Sequence, residues 1–495
     1  MNAKNLNKQV RVRIAPSPTG LFHLGTARTA LFNWLFAKHK NGIFVLRIED
    51  TDIERSDPKF EIDILDGMRW LGINWDEGPV AYDDKSTKTI TKEYGPYRQS
   101  ERMSIYEKYV NQLIEEKKAY FCYCTKEELE LERQSSLKNN QSPKYSGKCK
   151  LSNYSPKEKV PLLVRFNVLE KKVEFHDMIR GKISFDMSLV GDIAIAKIID
   201  DGKLKFSPLY NFAVTIDDAT MDITHVIRGE DHISNTPKQI LIQEALGFET
   251  PVYAHLPLIL SADRSKLSKR YVETSLLMYR EQGFLPEAMV NFIAFLGWHP
   301  KDDKEIMSPN ELASEFEIER VQKAGAIFNE EKLSWINSKY IKNLSDSDLA
   351  KIIFPILVGR DVNIELSKLE KIVHILKDRM KTMLDFHDLA HFFFELPEYE
   401  SELLIWKDIP KDKIKLNLES IVGQFKNVKQ SEFANDYLEK ALSDLIAEQG
   451  KGAILWPLRA ALSGKRESPG PYEIAEILGF KETNKRLEIA IEKLV

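Results

Sequence analysis

One stretch limits what this chain can become: RVRIAPSPTG, residues 11–20, together with the segment down to Lys38. Arg11 to Ala15 alternates polar and apolar side chains, the period of a strand. Pro16, Pro18 and Gly20 end that strand, because proline fixes φ and removes a backbone donor. From Ala27 to Lys38 the spacing becomes helical, with Ala27, Ala30, Leu31, Trp34 and Leu35 on one face. A strand that passes through a tight turn into a helix belongs to an α/β core. The helix start offers free backbone N–H groups and the positive end of the dipole, which suits phosphate. Gly25 lets a nucleotide approach the backbone closely, and His23 can donate to phosphate oxygens. An ordinary turn with His23 at the surface would show the same pattern, so this stretch leaves both readings open.

A second stretch lies far downstream. Lys266-Leu-Ser-Lys-Arg270 comes after an apolar run ending at Leu260 and a turn at Ser261 to Arg264. Two lysines and an arginine around one serine suit a loop that meets a polyphosphate; a solvated basic loop is the plain alternative. In this order and at this separation, the two stretches resemble the HIGH and KMSKS signatures of class I aminoacyl-tRNA synthetases. The chain further resembles bacterial-type glutamyl-tRNA synthetases at LRIEDTD (46–52), GPYRQSER (95–102), IRGEDHISNT (227–236) and residues 283–300. The second His of the generic HIGH signature is Thr26 here, a departure common among glutamyl enzymes. The resemblance runs motif by motif over the first two-thirds, and in the last third rests on length and helical character.

That resemblance implies an α/β fold: a Rossmann-type catalytic domain with an inserted α+β domain and an all-helical anticodon-binding region. The expected boundaries are 1–104 and 206–250 for the two catalytic halves and 105–205 for the acceptor-end insertion. A stem-contact region with the KLSKR loop takes 251–344, and the helical tail takes 345–495. The implied reaction joins glutamate to ATP as an adenylate and transfers it to tRNA-Glu. His23, Lys266 and Lys269 would stabilise charge on the phosphoryl oxygens, and Mg²⁺ would accompany ATP. Pro16, Gly25, Thr26, Ser268 and Arg270 complete the implied ATP site. Arg13, Ala15, Ser17, Glu49, Tyr210 and Arg228 form the implied glutamate pocket, with Glu49 on the amino group and Arg13 and Arg228 on the side-chain carboxylate. Arginine suits that task because its planar fork matches a carboxylate at two points and stays charged when buried. An ion pair of Arg228 with Glu230 or Asp231 is the structural alternative. Some family members carry an Asn four residues after the pocket tyrosine, and this chain has Val214.

At 495 residues the chain holds several domains, each able to bury a core. Its 43% hydrophobic and 29% charged residues describe an ordinary soluble protein, and the net charge of −4 leaves RNA contact to local basic surface. Three cysteines argue against a disulfide scaffold. The amino terminus lacks an apolar signal core and no run is long enough for a bilayer, so a cytoplasmic, non-membrane protein is expected, as a monomer. Cys122, Cys124 and distant Cys149 resemble the zinc site of many glutamyl enzymes. That pattern ends Cys-x-His, whereas Leu151 stands in the histidine's place. Tyr145 could be the fourth ligand; a site that folds without metal is the other reading.

Between these landmarks, Pro58 to Leu71 reads as a helix, and Val160 to Lys205 as a β-rich run within the insertion. Leu209 to Ile216 reads as the resumed sheet, Thr236 to Leu246 as a helix and Val252 to Leu260 as a strand. From Ser345 amphipathic helices are expected at 349–358, 366–384, 389–394, 413–425, 436–449 and 472–478. A helical tail disfavours glutaminyl-tRNA synthetase, which would place β-barrels there. The length disfavours a relative that glutamylates a modified base. A catalytically dead RNA-binding paralogue and a plain nucleotidyltransferase remain as rivals from other classes. Whether tRNA-Gln is also charged depends on tail contacts that the sequence leaves open.

Overall fold

The structure, a computed structural model, describes residues 8–52, 54–79, 93–150, 160–200, 204–265, 275–359, 362 and 364–495. It divides into two compact units, residues 1–281 with 286–333, and residues 282–285 with 334–495.

In the first unit the expected strand and helix are β1 (Arg11–Ile14) and α1 (Leu24–His39), and β2 (Ile43–Leu46) returns parallel to β1, Arg11 opposite Ile43. The helix starts three residues earlier than its apolar spacing suggests, because His23 caps it. Leu24, Phe32 and Phe36 are buried along with Ala27, Ala30, Leu31 and Leu35 of the predicted face, while Trp34 is only half-buried, so α1 is enclosed on most sides. Next come α2 (Pro58–Trp70), capped by Asp57, and α3 (Met103–Glu115). β3 (Ala119–Cys122) leads to α4 (Lys126–Lys138), which Thr125 and Glu128 close with a capping box.

The β-rich stretch after α4 divides between two sheets. β4 (Leu163–Phe166), β7 (Ile193–Asp200) and β8 (Leu204–Pro208) join β3 in an antiparallel sheet ordered β3-β4-β7-β8. The hairpin between them, β5 (Lys172–Asp177) and β6 (Gly181–Asp186), pairs elsewhere, on the edge of a parallel pair from later in the chain. A period-two pattern shows that a segment is a strand; it does not show which edge the strand joins.

Residues 210–220 correct the sequence reading. They form α5 (Tyr210–Thr220), not a strand. Phe212, Ala213, Val214 and Ile216 are all buried, as are Thr215, Asp217 and Asp218 between and after them, so no solvent face marks a period that would separate helix from strand. β9 (His225–Gly229), α6 (Thr236–Leu246) and β10 (Val252–Leu256) complete a second parallel crossover, and the sheet order is β6-β5-β10-β9. Thr224 accepts from Arg11 N through Oγ1 (2.8 Å) and donates its amide to Arg11 O (3.0 Å), which sets the two parallel pairs side by side. The strand expected to run to Leu260 is interrupted at Pro257, and Ile259–Leu260 pairs instead with Ala326–Ile327. One apolar cluster runs from Val45 and Tyr253 through Tyr106, Val110 and Leu113 of α3 to Val164, Phe166 and Ile195 of the antiparallel sheet.

The second unit contains no strand among its described residues. Its main helices are Asp346–Val358, Leu366–Leu376, Lys411–Lys426, Asn435–Gln449, Lys451–Ser463 and Pro471–Glu492. The helix at 451–463 is absent from the sequence reading because Pro457 interrupts its pattern. The last helix breaks at Gly479, whose φ of 76° falls where the predicted segment 472–478 stops. Arg486 lies buried in this unit and donates to the carbonyls of Phe392 (2.7 Å) and Leu462 (2.6 Å).

Candidate active site

The carboxyl ends of β1, β2 and β9 converge on one place, which is where open α/β sheets bind ligands. Backbone bonds extend the β1–β2 pairing past the strands: Arg47 N reaches Ile14 O and Glu49 N reaches Pro16 O, each at 3.0 Å. These hold the turn carrying Ala15, Pro16 and Ser17 against the segment carrying Glu49. Pro16 is buried, Ala15 half-buried and Ser17 exposed.

At the start of α1 the imidazole of His23 faces inward. Its Nδ1 accepts from the amides of Gly25 (3.1 Å) and Thr26 (3.3 Å), and Nε2 lies 3.2 Å from Thr26 Oγ1. Burial holds the ring below its ordinary pKa, so it is neutral at pH 7. An Nδ1 that accepts leaves the proton on Nε2, and that N–H donates to Thr26 Oγ1 at the helix start. Two helix-end amides that the sequence reading gave to phosphate are thus taken by His23 itself. Gly25 leaves room for this cap: a Cβ there would stand 3.2 Å from both Nδ1 and Cε1 of the ring, a tight contact that the ring would have to relieve.

Beneath the turn lies a buried charge cluster. Arg13 donates to Asp218 through Nε (3.0 Å) and Nη2 (3.3 Å). Arg47, with no exposure, donates to Asp218 (2.8 Å) and Glu49 (3.0 Å), with Asp217 at 3.7 Å. Asp217 also receives Gln99 and Arg102, each at 2.7 Å, and the Tyr106 hydroxyl at 2.9 Å. Burial works to raise the Asp218 carboxyl, but Arg13 and Arg47 outweigh it and hold it below the usual range. Glu49 goes the other way: burial dominates over Arg47 and raises its pKa. It is thus the carboxylate of this cluster with most to gain from another cation.

Arg228, on β9, is 5% exposed. Its Nη2 donates to Thr236 Oγ1 (2.7 Å) and its Nε to His255 Nε2 (3.3 Å), while Nη1 is buried without a partner. The expected alternative, an ion pair with a neighbour, does not occur. Glu230 is paired with Arg180 and accepts from Leu258 N (2.8 Å), and Asp231 lies beside His232. A buried guanidinium that meets no carboxylate among the described residues and keeps one bare nitrogen there is suited to an anion from outside. Tyr210 opens α5 close by, its hydroxyl 2.8 Å from His232 Nδ1. Burial, helped by Arg228, lowers the His232 pKa to about 4.

Known proteins share both this sequence and this geometry. Residues 9–335 match the catalytic domain of class I tRNA synthetases of the E and Q type, and residues 348–491 match an anticodon-binding domain. The chain is 43% identical to a glutamate–tRNA ligase of Sulfurihydrogenibium, across 97% of its own length and 99% of the relative's. It is 43% identical to glutamate–tRNA ligase 2 of Thermoanaerobacter pseudethanolicus, across 98% of each. The chain belongs to the class I glutamate–tRNA ligase family. Its fold agrees: a crystal structure of a glutamate tRNA ligase from Elizabethkingia meningosepticum in complex with its amino acid superposes with a TM-score of 0.87 at 34% identity, covering 99% of this chain and 100% of that one. The Elizabethkingia anophelis glutamate–tRNA synthetase gives 0.84, also at 34%, over 98% and 100%.

In the structure Arg13, Ala15, Pro16, Ser17, Glu49 and Arg228 lie at or just past the ends of the parallel strands, His23, Gly25 and Thr26 at the start of α1, and Tyr210 at the start of α5. Lys266, Ser268, Lys269 and Arg270 lie outside the described residues. Sequence reasoning gave no role to Arg47, Asp217, Asp218, Asp177, Thr236 or His255. The available signal was a charged or polar residue inside an otherwise apolar run, as in Val45-Leu-Arg-Ile48 and Tyr253-Ala-His-Leu256.

The cysteine cluster stands apart, beside β3. The Sγ atoms of Cys122, Cys124 and Cys149 lie within 4.8 Å of one another, and Cys124 and Cys149 are 3.6 Å apart. The Tyr145 hydroxyl is 3.7 Å from Cys122 Sγ and 3.5 Å from Cys124 Sγ. Tetrahedral zinc, with Zn–S of about 2.3 Å and Zn–O of about 2.0 Å, would set sulfurs ~3.8 Å apart and the oxygen ~3.5 Å from each. The donor set fits the ion. Arg165 Nε sits 3.3 Å from Cys122 Sγ, where a cation stabilises thiolate. Leu151 lies outside the described residues.

Proposed function

We propose that this chain ligates L-glutamate to tRNA-Glu with ATP, used as its magnesium complex, through the residues assembled at the ends of β1, β2 and β9. The glutamate α-carboxylate attacks the α-phosphorus of ATP and pyrophosphate leaves. A ribose hydroxyl of the tRNA's terminal adenosine then attacks the anhydride, releasing AMP. No protein nucleophile is required, so the protein's work is positioning and charge stabilisation. His23 donates from Nε2 to the triphosphate near Pro16, Gly25 and Thr26. Lys266 and Lys269, with Ser268 and Arg270, meet the phosphates from the basic loop. Glu49 takes the substrate's ammonium, Ser17, Ala15 and Tyr210 enclose its body, and Arg228 with Arg13 takes its side-chain carboxylate. The antiparallel sheet of 105–205 holds the acceptor end of the tRNA, and residues 345–495 bind the anticodon. Cys122, Cys124, Tyr145 and Cys149 hold a structural zinc. No helix among the described residues is long and apolar enough to cross a membrane; the site of action is the cytoplasm, and tRNA-Gln is the second tRNA to test.

The observation that carries this reading is the bare, buried Nη1 of Arg228. Steady-state aminoacylation with glutamate varied at saturating ATP and tRNA tests it. Removing one partner of a buried charge pair costs about 3–5 kcal/mol, so Arg228→Leu should lower kcat/KM for glutamate by a hundredfold or more and leave ATP parameters unchanged. Arg228→Lys should restore part of the loss, since a point charge cannot reproduce the fork. A principal defect in ATP use would overturn the pocket assignment. Charging tRNA-Glu and tRNA-Gln side by side decides the range of tRNA substrates.

A further inference from the structure

Two ionisable groups with no exposed surface, Asp177 and His255, have no part in the ligation chemistry. They lie in line behind Arg228. Asp177 ends β5 and sits opposite Tyr253 in the register with β10. Its Oδ1 accepts from the amides of Ile179 (2.9 Å) and Arg180 (2.8 Å), which fixes the carboxylate. Its Oδ2 lies 2.6 Å from His255 Nδ1. The far side of the same ring, Nε2, meets Arg228 Nε at 3.3 Å and Thr236 Oγ1 at 3.0 Å.

The chemistry of this line has one consistent proton arrangement. Asp177 accepts, so His255 carries its proton on Nδ1 and shows a lone pair at Nε2. Only that tautomer can accept from Arg228. The opposite one, or the doubly protonated ring, would point an N–H at a guanidinium that has only N–H groups to offer. With Nε held by His255 and Nη2 by Thr236, the guanidinium plane is set and Nη1 is the edge left over.

We infer that Asp177, His255 and Thr236 are positioning residues for glutamate selection: they lock the Arg228 fork so that its Nη1 edge faces the substrate's side-chain carboxylate. This rests on the reading of Arg228 as the carboxylate partner and extends it to residues that never touch substrate. It also gives the β5–β6 hairpin a task. The hairpin leaves the inserted stretch and joins the catalytic sheet, and the residue it brings alongside β10 is Asp177.

The test uses the full-length enzyme with ATP and tRNA saturating and glutamate varied. His255→Leu fills much of the ring's volume but cannot accept. A hydrogen bond to a charged group is worth roughly a tenfold change or more, so KM for glutamate should rise about tenfold or more, with KM for ATP unchanged. His255→Gln restores an acceptor near Nε2 and should bring KM back to within about threefold of the parent. Thr236→Val should raise the glutamate KM and Thr236→Ser should not, an independent pair should a change at His255 prevent folding. A purely structural role would lower thermal stability in each variant while glutamate and ATP parameters move together, and that pattern overturns the inference. Equal KM for His255→Leu and His255→Gln overturns it as well. Arg228→Leu separates the pocket from its positioning. If it spares glutamate kinetics, the pocket reading fails; if it damages them while His255→Leu and Thr236→Val do not, only the positioning role fails.

Discussion

Replacing Arg47 with methionine keeps the buried stem and removes the charge, and the cluster around it makes the consequence calculable. Asp218 keeps Arg13 at 3.0 Å, and Asp217 keeps Arg102 at 2.7 Å. Glu49 has no such substitute: Arg47 at 3.0 Å is its ion-pair partner, and what remains is the less direct charge of Arg13. A buried carboxylate left without its cation takes up a proton. Starting from an unfolded-state pKa of about 4.3, keeping it neutral costs about 3.7 kcal/mol at pH 7 and about 1 kcal/mol at pH 5; because burial already raises Glu49 in the parent, these are upper bounds on the loss. The sign comes from linkage. A carboxyl whose folded pKa is raised makes the unfolded state relatively more favourable as pH climbs above 4.3, so the loss in Arg47→Met grows with pH. The independent range for breaking a buried pair, about 3–5 kcal/mol, agrees with the neutral-pH figure. Native-state hydrogen exchange on peptides spanning Ile43–Leu46 and Tyr210–Thr220, at pH 5 and pH 7, reads the cluster without requiring the whole chain to unfold in one step. A loss under 1 kcal/mol at pH 7, or one of equal size at both pH values, would refute the dependence of Glu49 on Arg47.

Gly25→Ala should tilt His23 off its cap, because the new methyl meets the ring at 3.2 Å; adenylate formation should fall about tenfold with the fold retained, and unchanged kinetics would free His23 from the ATP site. Because burial lowers the His23 pKa, adenylate formation should hold level as pH falls through 6.5 and decline only below it, where protonation of Nδ1 ejects the two amides; a midpoint at or above 6.5 in a pH–rate profile would show a solvated ring. Protein purified without chelator should contain near-stoichiometric zinc by elemental analysis, and Cys149→Ser should remove it; metal-free protein of full activity would assign the cluster to packing alone.

The catalytic turn was legible in the sequence because every step of it is local. Alternation, then Pro16, Pro18 and Gly20, then a 3.6 period define β1 and α1 without reference to anything distant, and the helical tail comes from the same kind of pattern. The proposed pocket residues Arg13, Glu49 and Arg228 were named only through resemblance to a known family. What tertiary structure alone decided is which charges meet. Arg47 and Asp218 are separated by 171 positions and Asp177 and His255 by 78, and no local period ties either pair together. The same holds for Tyr210–Thr220, whose central residues Phe212 to Asp218 are buried on every face, and for β5, which alternates like its neighbours yet pairs with β10. Local sequence sets the conformations a segment favours. Burial and strand pairing, properties of the assembled chain, choose between conformations of similar energy and place Asp177 beneath His255 and Arg228.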